Sequence, residues 1–194
     1  MKKNLSYNII AGKYKGKKLS LPALQTTRAT KNRVRESFFN TVAFDILDKN
    51  FVEVFGGSGS MGLEAVSRGV KHSYFIEQNP IAYKVLQKNC QLIDSTSTTT
   101  ILGDSFYEFS TILSNLKTKT IFYFDPPFEI RDGMQNIYEK TEELIKKIPT
   151  QIAFLIAIEH RTKQKMAENI GKYQKIKTKK FGNSSISYYK AILD

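Results

Sequence analysis

From residue 51 onward the chain alternates short apolar runs with amphipathic stretches, and this alternation constrains the fold more than any other feature of the sequence. Residues 51–55, 72–77, 99–102, 121–124 and 152–158 have the length and side chains of strands. Residues 61–68, 80–93, 106–116 and 134–148 have the apolar spacing of helices. Asn79-Pro80 supplies a capping side chain followed by proline at the first helical position. Strands that alternate with helices imply βαβ crossovers and an α/β chain with a mostly parallel sheet covered on both faces. Residues 172–181 and 184–193 form a closing antiparallel hairpin around Gly182-Asn183, which makes the sheet mixed.

Before this body lies a different segment. Residues 7–11 and 18–21 predict a hairpin around Gly12 and Gly16, with Lys13, Lys15, Lys17 and Lys18 facing outward. Thr30 is placed to cap a helix over residues 31–47, whose apolar face carries Val34, Phe38, Val42 and Leu47, with Phe39 and Ile46 beside them. The expected boundary is near residue 50: a basic extension over 1–49 and the α/β body over 50–194. The charge follows that division. The chain carries +12 overall, of which residues 1–49 hold +8, residues 50–160 hold −3 and residues 161–194 hold +7. If folding brings the basic ends to one face, that face attracts polyphosphate ligands. With 41% hydrophobic residues, disorder is excluded. No apolar run reaches the ~20 residues of a spanning helix, so no membrane role and a cytoplasmic location are expected. Cys90 is the one cysteine, which excludes an intrachain disulfide and a cysteine metal cage.

Four positions carry chemistry. The first is the turn Glu53-Val54-Phe55-Gly56-Gly57-Ser58-Gly59-Ser60-Met61-Gly62, after a strand and before a helix, where glycines permit a tight turn and close approach of a ligand. Gly57, Gly59 and Gly62 also satisfy the dinucleotide-binding spacing. The second is Glu77, at the end of the next strand, where a carboxylate can accept both ribose hydroxyls of a nucleoside cofactor. The third is Asp104, with Ser105 after it, which suits an adenine amino group and equally suits a helix N-cap. The fourth is Asp125-Pro126-Pro127-Phe128, at the carboxyl edge of the sheet. Its carboxylate and a fixed carbonyl match the two N–H donors of an exocyclic amine, and Phe128 offers a face for a base. The structural alternatives are a glycine turn without ligand, a surface glutamate and a plain proline turn.

These residues resemble a class I S-adenosylmethionine-dependent methyltransferase of the amine-methylating type. Asn8 to Gly12, Gly16 to Leu19, Arg28-Ala29-Thr30, Arg33 to Asn40 and Phe55 to Gly69 narrow the resemblance to the bacterial 16S ribosomal RNA guanine-N2 methyltransferase family. Ala29, Glu53 and Gly56 depart from it, standing where that family usually has Pro, Asp and Ala. The resemblance implies a Rossmann-like sheet with an antiparallel C-terminal hairpin and a small N-terminal hairpin-plus-helix extension. It implies S-adenosyl-L-methionine as cofactor, held by Glu53, Phe55, Gly56, Gly57, Ser58, Gly59, Gly62, Glu77, Asp104 and Ser105. It gives the target amine to Asp125, Pro126, Pro127 and Phe128. Lys13, Lys15, Lys17, Lys18, Arg28, Thr30, Arg33 and Arg35 would hold RNA, with 16S ribosomal RNA or the small ribosomal subunit as partner. No metal is needed, and a monomer is expected. Rival activities are DNA adenine-N6 or cytosine-N4 methylation, nicotinamide-dependent hydride transfer and RNA binding without turnover.

Overall fold

The computed structural model describes residues 5–22, 28–127 and 136–192, with backbone alone for 28–30. The extension contributes β1 (Ser6–Asn8), β2 (Lys18–Ser20) and α1 (Arg28–Val42). The body runs β3 (Asn50–Glu53), α2 (Ser60–Ser67), β4 (His72–Glu77), α3 (Pro80–Ile93), β5 (Thr98–Leu102), α4 (Ser105–Asn115) and β6 (Thr120–Phe124). It continues with α5 (Ile137–Lys146), β7 (Ala153–Arg161), β8 (Asn169–Ile170), β9 (Tyr173–Phe181) and β10 (Ser184–Ala191).

The eight strands of the main sheet lie in the order β5-β4-β3-β6-β7-β10-β9-β8. β5, β4, β3, β6 and β7 pair in parallel, and β10 joins β7 antiparallel. The chain moves outward in one direction from β3 to β5 and then crosses back to place β6 on the other side of β3. This switch point opens a crevice at the carboxyl ends of β3 and β6. The sheet's period of two sorts its side chains into two layers. Phe51, Ile121 and Tyr123 join the cluster on one face; Val52, Phe122 and Phe124 join the cluster on the other.

α1 lies on the first face. Phe38 sits at its centre, with ring centroids 5.1 Å from Tyr123, 6.0 Å from Phe51 and 6.3 Å from Tyr188. Tyr7, Ile9 and Leu19 of the hairpin are buried in the same cluster as Phe51 and Leu63 of the body, so extension and body share one apolar core. A polar clamp fixes the hairpin. Glu64 of α2, fully buried, accepts the N–H groups of Ile10 at 2.7 Å and Ala11 at 3.0 Å, and Arg68 Nε at 2.8 Å. Next to it Lys13 N–H donates to the Ser67 carbonyl at 2.7 Å, and a Cβ on Gly12 would stand 1.8 Å from that oxygen. Only glycine fits there.

The boundaries differ from expectation where partners outweigh local pattern. α1 begins at Arg28, so Thr30 lies inside the helix and does not cap it. The helix stops at Val42; Asp45 N–H turns back to the Val42 carbonyl, and Asp48 (φ 60°) reverses the chain into β3. Ile46 is buried by this turn while Leu47 is left exposed. β7 continues past 158 to Arg161, because β10 offers it pairing beyond the tip of β6, with Ile186 opposite Glu159 and Ser185 opposite His160. β8 is two residues long, too short for a periodic signal. The expected helix start at Met134 lies outside the described residues. No helix among the described residues is long and apolar enough to cross a membrane.

Replacing Glu64 by Ala leaves two part-buried amides and the Arg68 guanidinium without their acceptor. The expected cost is about 3–5 kcal/mol, read as a lower urea midpoint. An unchanged midpoint would show that the hairpin clamp contributes nothing.

Candidate active site

The glycine turn between β3 and α2 is closed by its own hydrogen bonds. Gly56 N–H donates to the Ile76 carbonyl at 2.7 Å and Gly59 N–H to the Gly56 carbonyl at 2.7 Å. Gly57 N–H donates to Glu77 Oε2 at 2.7 Å. At the start of α2, Gly62 N–H donates to Glu53 Oε2 at 2.8 Å and Met61 N–H reaches Oε1 at 3.4 Å. Glu53 is therefore a buried acceptor for the helix N-terminus. Burial pushes its carboxyl up to about 8, against the two amides that favour the ionised form. Gly57 (φ 53°) and Gly59 (φ 78°) supply the left-handed corners of the turn. Gly62 serves packing, since a Cβ there would stand 2.3 Å from the Phe75 ring. Ser58 is buried, and its carbonyl accepts Asn89 Nδ2 at 2.9 Å. Phe55, half-buried, meets Phe106 edge to face at 5.9 Å.

Glu77 ends β4 and ties two loops together. Its Oε2 takes the Gly57 amide and its Oε1 takes Asn79 N–H at 2.7 Å, which leaves a lone pair on each oxygen for a further donor. Asp104 caps α4, accepting Phe106 N–H at 2.9 Å through Oδ1. Ser105 points inward: its hydroxyl donates to the Val54 carbonyl at 2.5 Å, joining α4 to the strand end.

The tip of β6 stands beside the tip of β3, with Glu53 paired to Tyr123 in the ladder. Asp125 is partly exposed and forms an ion pair with Lys31 of α1, Nζ to Oδ2 3.2 Å. Pro126 is buried and Pro127 half-buried; Phe128 lies outside the described residues. Two groups at this edge are passed over in the sequence. Lys31 reads there only as one cation among several at a helix start. Glu159 reads as the residue after an apolar run, yet it is buried and accepts the Tyr123 hydroxyl at 2.9 Å. Burial and the nearby Asp125 push its carboxyl up to about 7, while Lys31 pulls the other way.

Among the expected RNA contacts, Lys13, Lys15, Lys17, Lys18 and Arg33 are exposed. The side chains of Arg28 and Thr30 lie outside the described residues. Arg35 corrects the expectation. It is 4% exposed, donates to the Asn8 carbonyl at 2.9 Å and Asn32 Oδ1 at 3.2 Å, and stacks over the Tyr7 ring at 4.8 Å. Its place one helical turn past Lys31, beneath the hairpin, makes it a tie between α1 and β1. The C-terminal lysines divide: Lys175 is held by Glu168 and the Met166 carbonyl, and Lys179 by Thr41 Oγ1 at 2.9 Å. No cluster among the described residues could hold a metal ion. His160 is buried between the Ser187 hydroxyl and the Arg161 carbonyl.

A glycine turn after the first body strand, a carboxylate ending the second and an acid-Pro-Pro turn across the switch point define a class I methyltransferase. The chain belongs to the family described as conserved hypothetical protein 95, whose profile matches residues 7–190. It is 25% identical over 185 residues to "Putative rRNA methyltransferase YlbH" of Bacillus subtilis, covering 94% of this chain and 97% of that one. It is 32% identical over 130 residues to "Ribosomal RNA small subunit methyltransferase D" of Haemophilus influenzae, covering 66% and 67%. Among solved structures, "Putative methyltransferase yhhF" from Escherichia coli superposes with a TM-score of 0.78 at 26% identity, covering 98% of this chain and all of that one.

The two packed glycines separate by substitution. Gly56→Ala meets only the Ile76 carbonyl at 3.0 Å and a flexible leucine, so its stability is expected within about 1 kcal/mol of the parent. Gly62→Ala is expected to cost about 1–3 kcal/mol by overpacking Phe75. Thermal melts of both variants check the contrast.

Proposed function

We propose that this chain transfers the methyl group of S-adenosyl-L-methionine to the exocyclic N2 amine of a guanine in small-subunit 16S ribosomal RNA. The observation that carries this reading is the juxtaposition of the glycine turn at the end of β3 with Asp125 at the end of β6, its neighbour in the sheet.

The residues present fit the cofactor. The amides that open α2 are taken by Glu53, so a pyrophosphate would find a buried carboxyl where a dinucleotide site presents free N–H groups. This argues against nicotinamide chemistry. A ligand with a sulfonium and an ammonium suits a site ringed by Glu53, Glu77 and Asp125. The turn from Phe55 to Gly59 would border its methionine part, and the open lone pairs of Glu77 would take the ribose hydroxyls. The remaining oxygen of Asp104 would take the adenine amine. Glu53 and Ser105, whose polar atoms already have partners, would shape the site and set its field.

When bound, the cofactor supplies an activated methyl group. The chain's own task is to aim a poor nucleophile, because the guanine amine has its lone pair delocalised into the ring. Asp125 and the Pro126 carbonyl would accept the two N–H groups and direct the lone pair, which is catalysis by positioning and fixed electrostatics. Phe128 would receive the base after it leaves its stack. Residues 1–49 would hold phosphates through Lys13, Lys15, Lys17, Lys18, Arg28 and Arg33, with Thr30 beside them, while residues 50–194 hold cofactor and amine. The partner would be 16S ribosomal RNA or the small subunit, met by a monomer in the cytoplasm.

Incubation with tritiated cofactor and either small subunits, 16S RNA or duplex DNA tests the reading. Label is expected in the RNA at guanine N2, and label confined to DNA would overturn it. Asp125→Ala is expected to lower transfer by on the order of 100-fold or more while keeping RNA affinity. Calorimetry adds a pH test. A cationic ligand favours ionised Glu53, whose carboxyl sits up at about 8, so S-adenosylmethionine affinity should rise with pH below ~7.5, before the ligand's own α-ammonium is lost. Glu53→Gln should flatten that rise.

A further inference from the structure

Three neighbouring strands present carboxyl groups at the same edge. Glu53 ends β3. Asp125 follows β6, and Glu159 lies in the part of β7 that extends past it, with Phe124 opposite Ile158 in the parallel ladder. That register places Asp125 beside Glu159 on the face covered by α1. Tyr123, on the same face of β6, binds Glu159 Oε2. Ser184 of β10 adds a hydrogen bond to Glu159. From α1, Arg35 acts on Glu53, yet its hydrogen bonds go to Asn8 and Asn32. Lys31 makes the direct contact: its Nζ is 3.2 Å from Asp125 Oδ2, and its charge also acts on Glu159 and Glu53.

We propose that Lys31 is a positioning residue of the amine site, whose ammonium keeps the Asp125 carboxylate ionised and oriented while Glu159 and Glu53 crowd the same strand tips. The inference rests on the amine-binding role given to Asp125 above. A carboxylate accepts through both oxygens, whereas protonation turns one of them into a donor, and adjacent carboxyls without a counter-charge share a proton. Burial and Asp125 already push Glu159 up to about 7. Asp125 in turn holds the Lys31 ammonium well above the usual lysine range, so the cation persists across the working pH. The cation comes from the RNA-facing extension, so the segment that meets the substrate also sets the charge state of the site. The Lys31 side chain is 46% exposed, so its replacement leaves the core intact.

Lys31→Met and Lys31→Arg are compared with the parent in single-turnover methylation of RNA from pH 6 to 9.5, beside RNA affinity by filter binding. Lys31→Met is expected to slow transfer about tenfold or more at pH 7, to move the acid limb up by about one pH unit and to recover above pH 8.5, with RNA affinity within about threefold. Lys31→Arg should return to within about threefold of the parent rate. In the ligand-free protein, carboxyl-carbon NMR titration should show the Asp125 and Glu159 midpoints higher in Lys31→Met. Loss of RNA affinity with an unmoved pH profile would make Lys31 a phosphate contact and overturn the proposal. A faster Lys31→Met enzyme would make it a competitor of the amine, and also overturns it. If the parent transfers no methyl group to any RNA, the preceding functional reading fails, while the NMR titration still decides whether Lys31 governs these carboxyls.

Discussion

A buried charge must be fully partnered or it destabilises the fold that contains it, and Glu64 shows what that requirement can organise. Its carboxylate, sealed inside α2, takes two amides of the hairpin and the guanidinium of Arg68, with Arg35 Nε 4.0 Å away. These partners come from separate parts of the chain, so satisfying one side chain aligns all of them. The hairpin lies against α2, Arg35 anchors α1 beneath the hairpin, and α1 in turn carries Lys31 to the end of β6. The site at the sheet edge thus depends on a carboxylate that faces away from it.

The sheet explains the site's electrostatics. Parallel strands end together, and here Glu53 and Glu77 end β3 and β4, Asp125 follows β6 and Glu159 lies near the end of β7, although the chain as a whole carries +12. The basic residues of the extension stand apart from these tips: the hairpin turn packs on Ser67 at the far end of α2, and Arg33 is exposed on α1. An acidic cluster of this kind favours groups that donate protons or carry positive charge.

Much of the body was legible because its signals are local. Strand 121–124 is apolar on both faces, and Asn79-Pro80 caps α3 in the structure as it does in the sequence, with Asn79 Oδ1 accepting two amides. Parallel crossovers follow from the alternation of strands and helices, whereas the order of the strands comes from the structure. What escaped the sequence is tertiary. Arg35 looks like its exposed neighbour Arg33, and only the hairpin folding over α1 makes one a buried tie and leaves the other in solvent. Glu53 ends an apolar strand and reads as a ligand contact, but the helix that starts seven residues later supplies its partners. Glu159 acquires meaning from a strand that pairs with it from 27 residues further along the chain, a separation at which spacing carries no information.

That long-range pairing has a consequence for how the protein is made. β7 lies between β6 and β10, but β10 is synthesised only after β8 and β9. Until residues 184–191 fold against it, one side of β7 has no ladder partner, and Glu159 and His160 stand on an unprotected strand. Contacts of this kind form late and slowly, and an open strand side invites pairing with other chains. A folding intermediate with β7 formed and β10 undocked is thus open to pairing with other chains along residues 153–161, the same backbone that later carries Glu159 at the sheet edge.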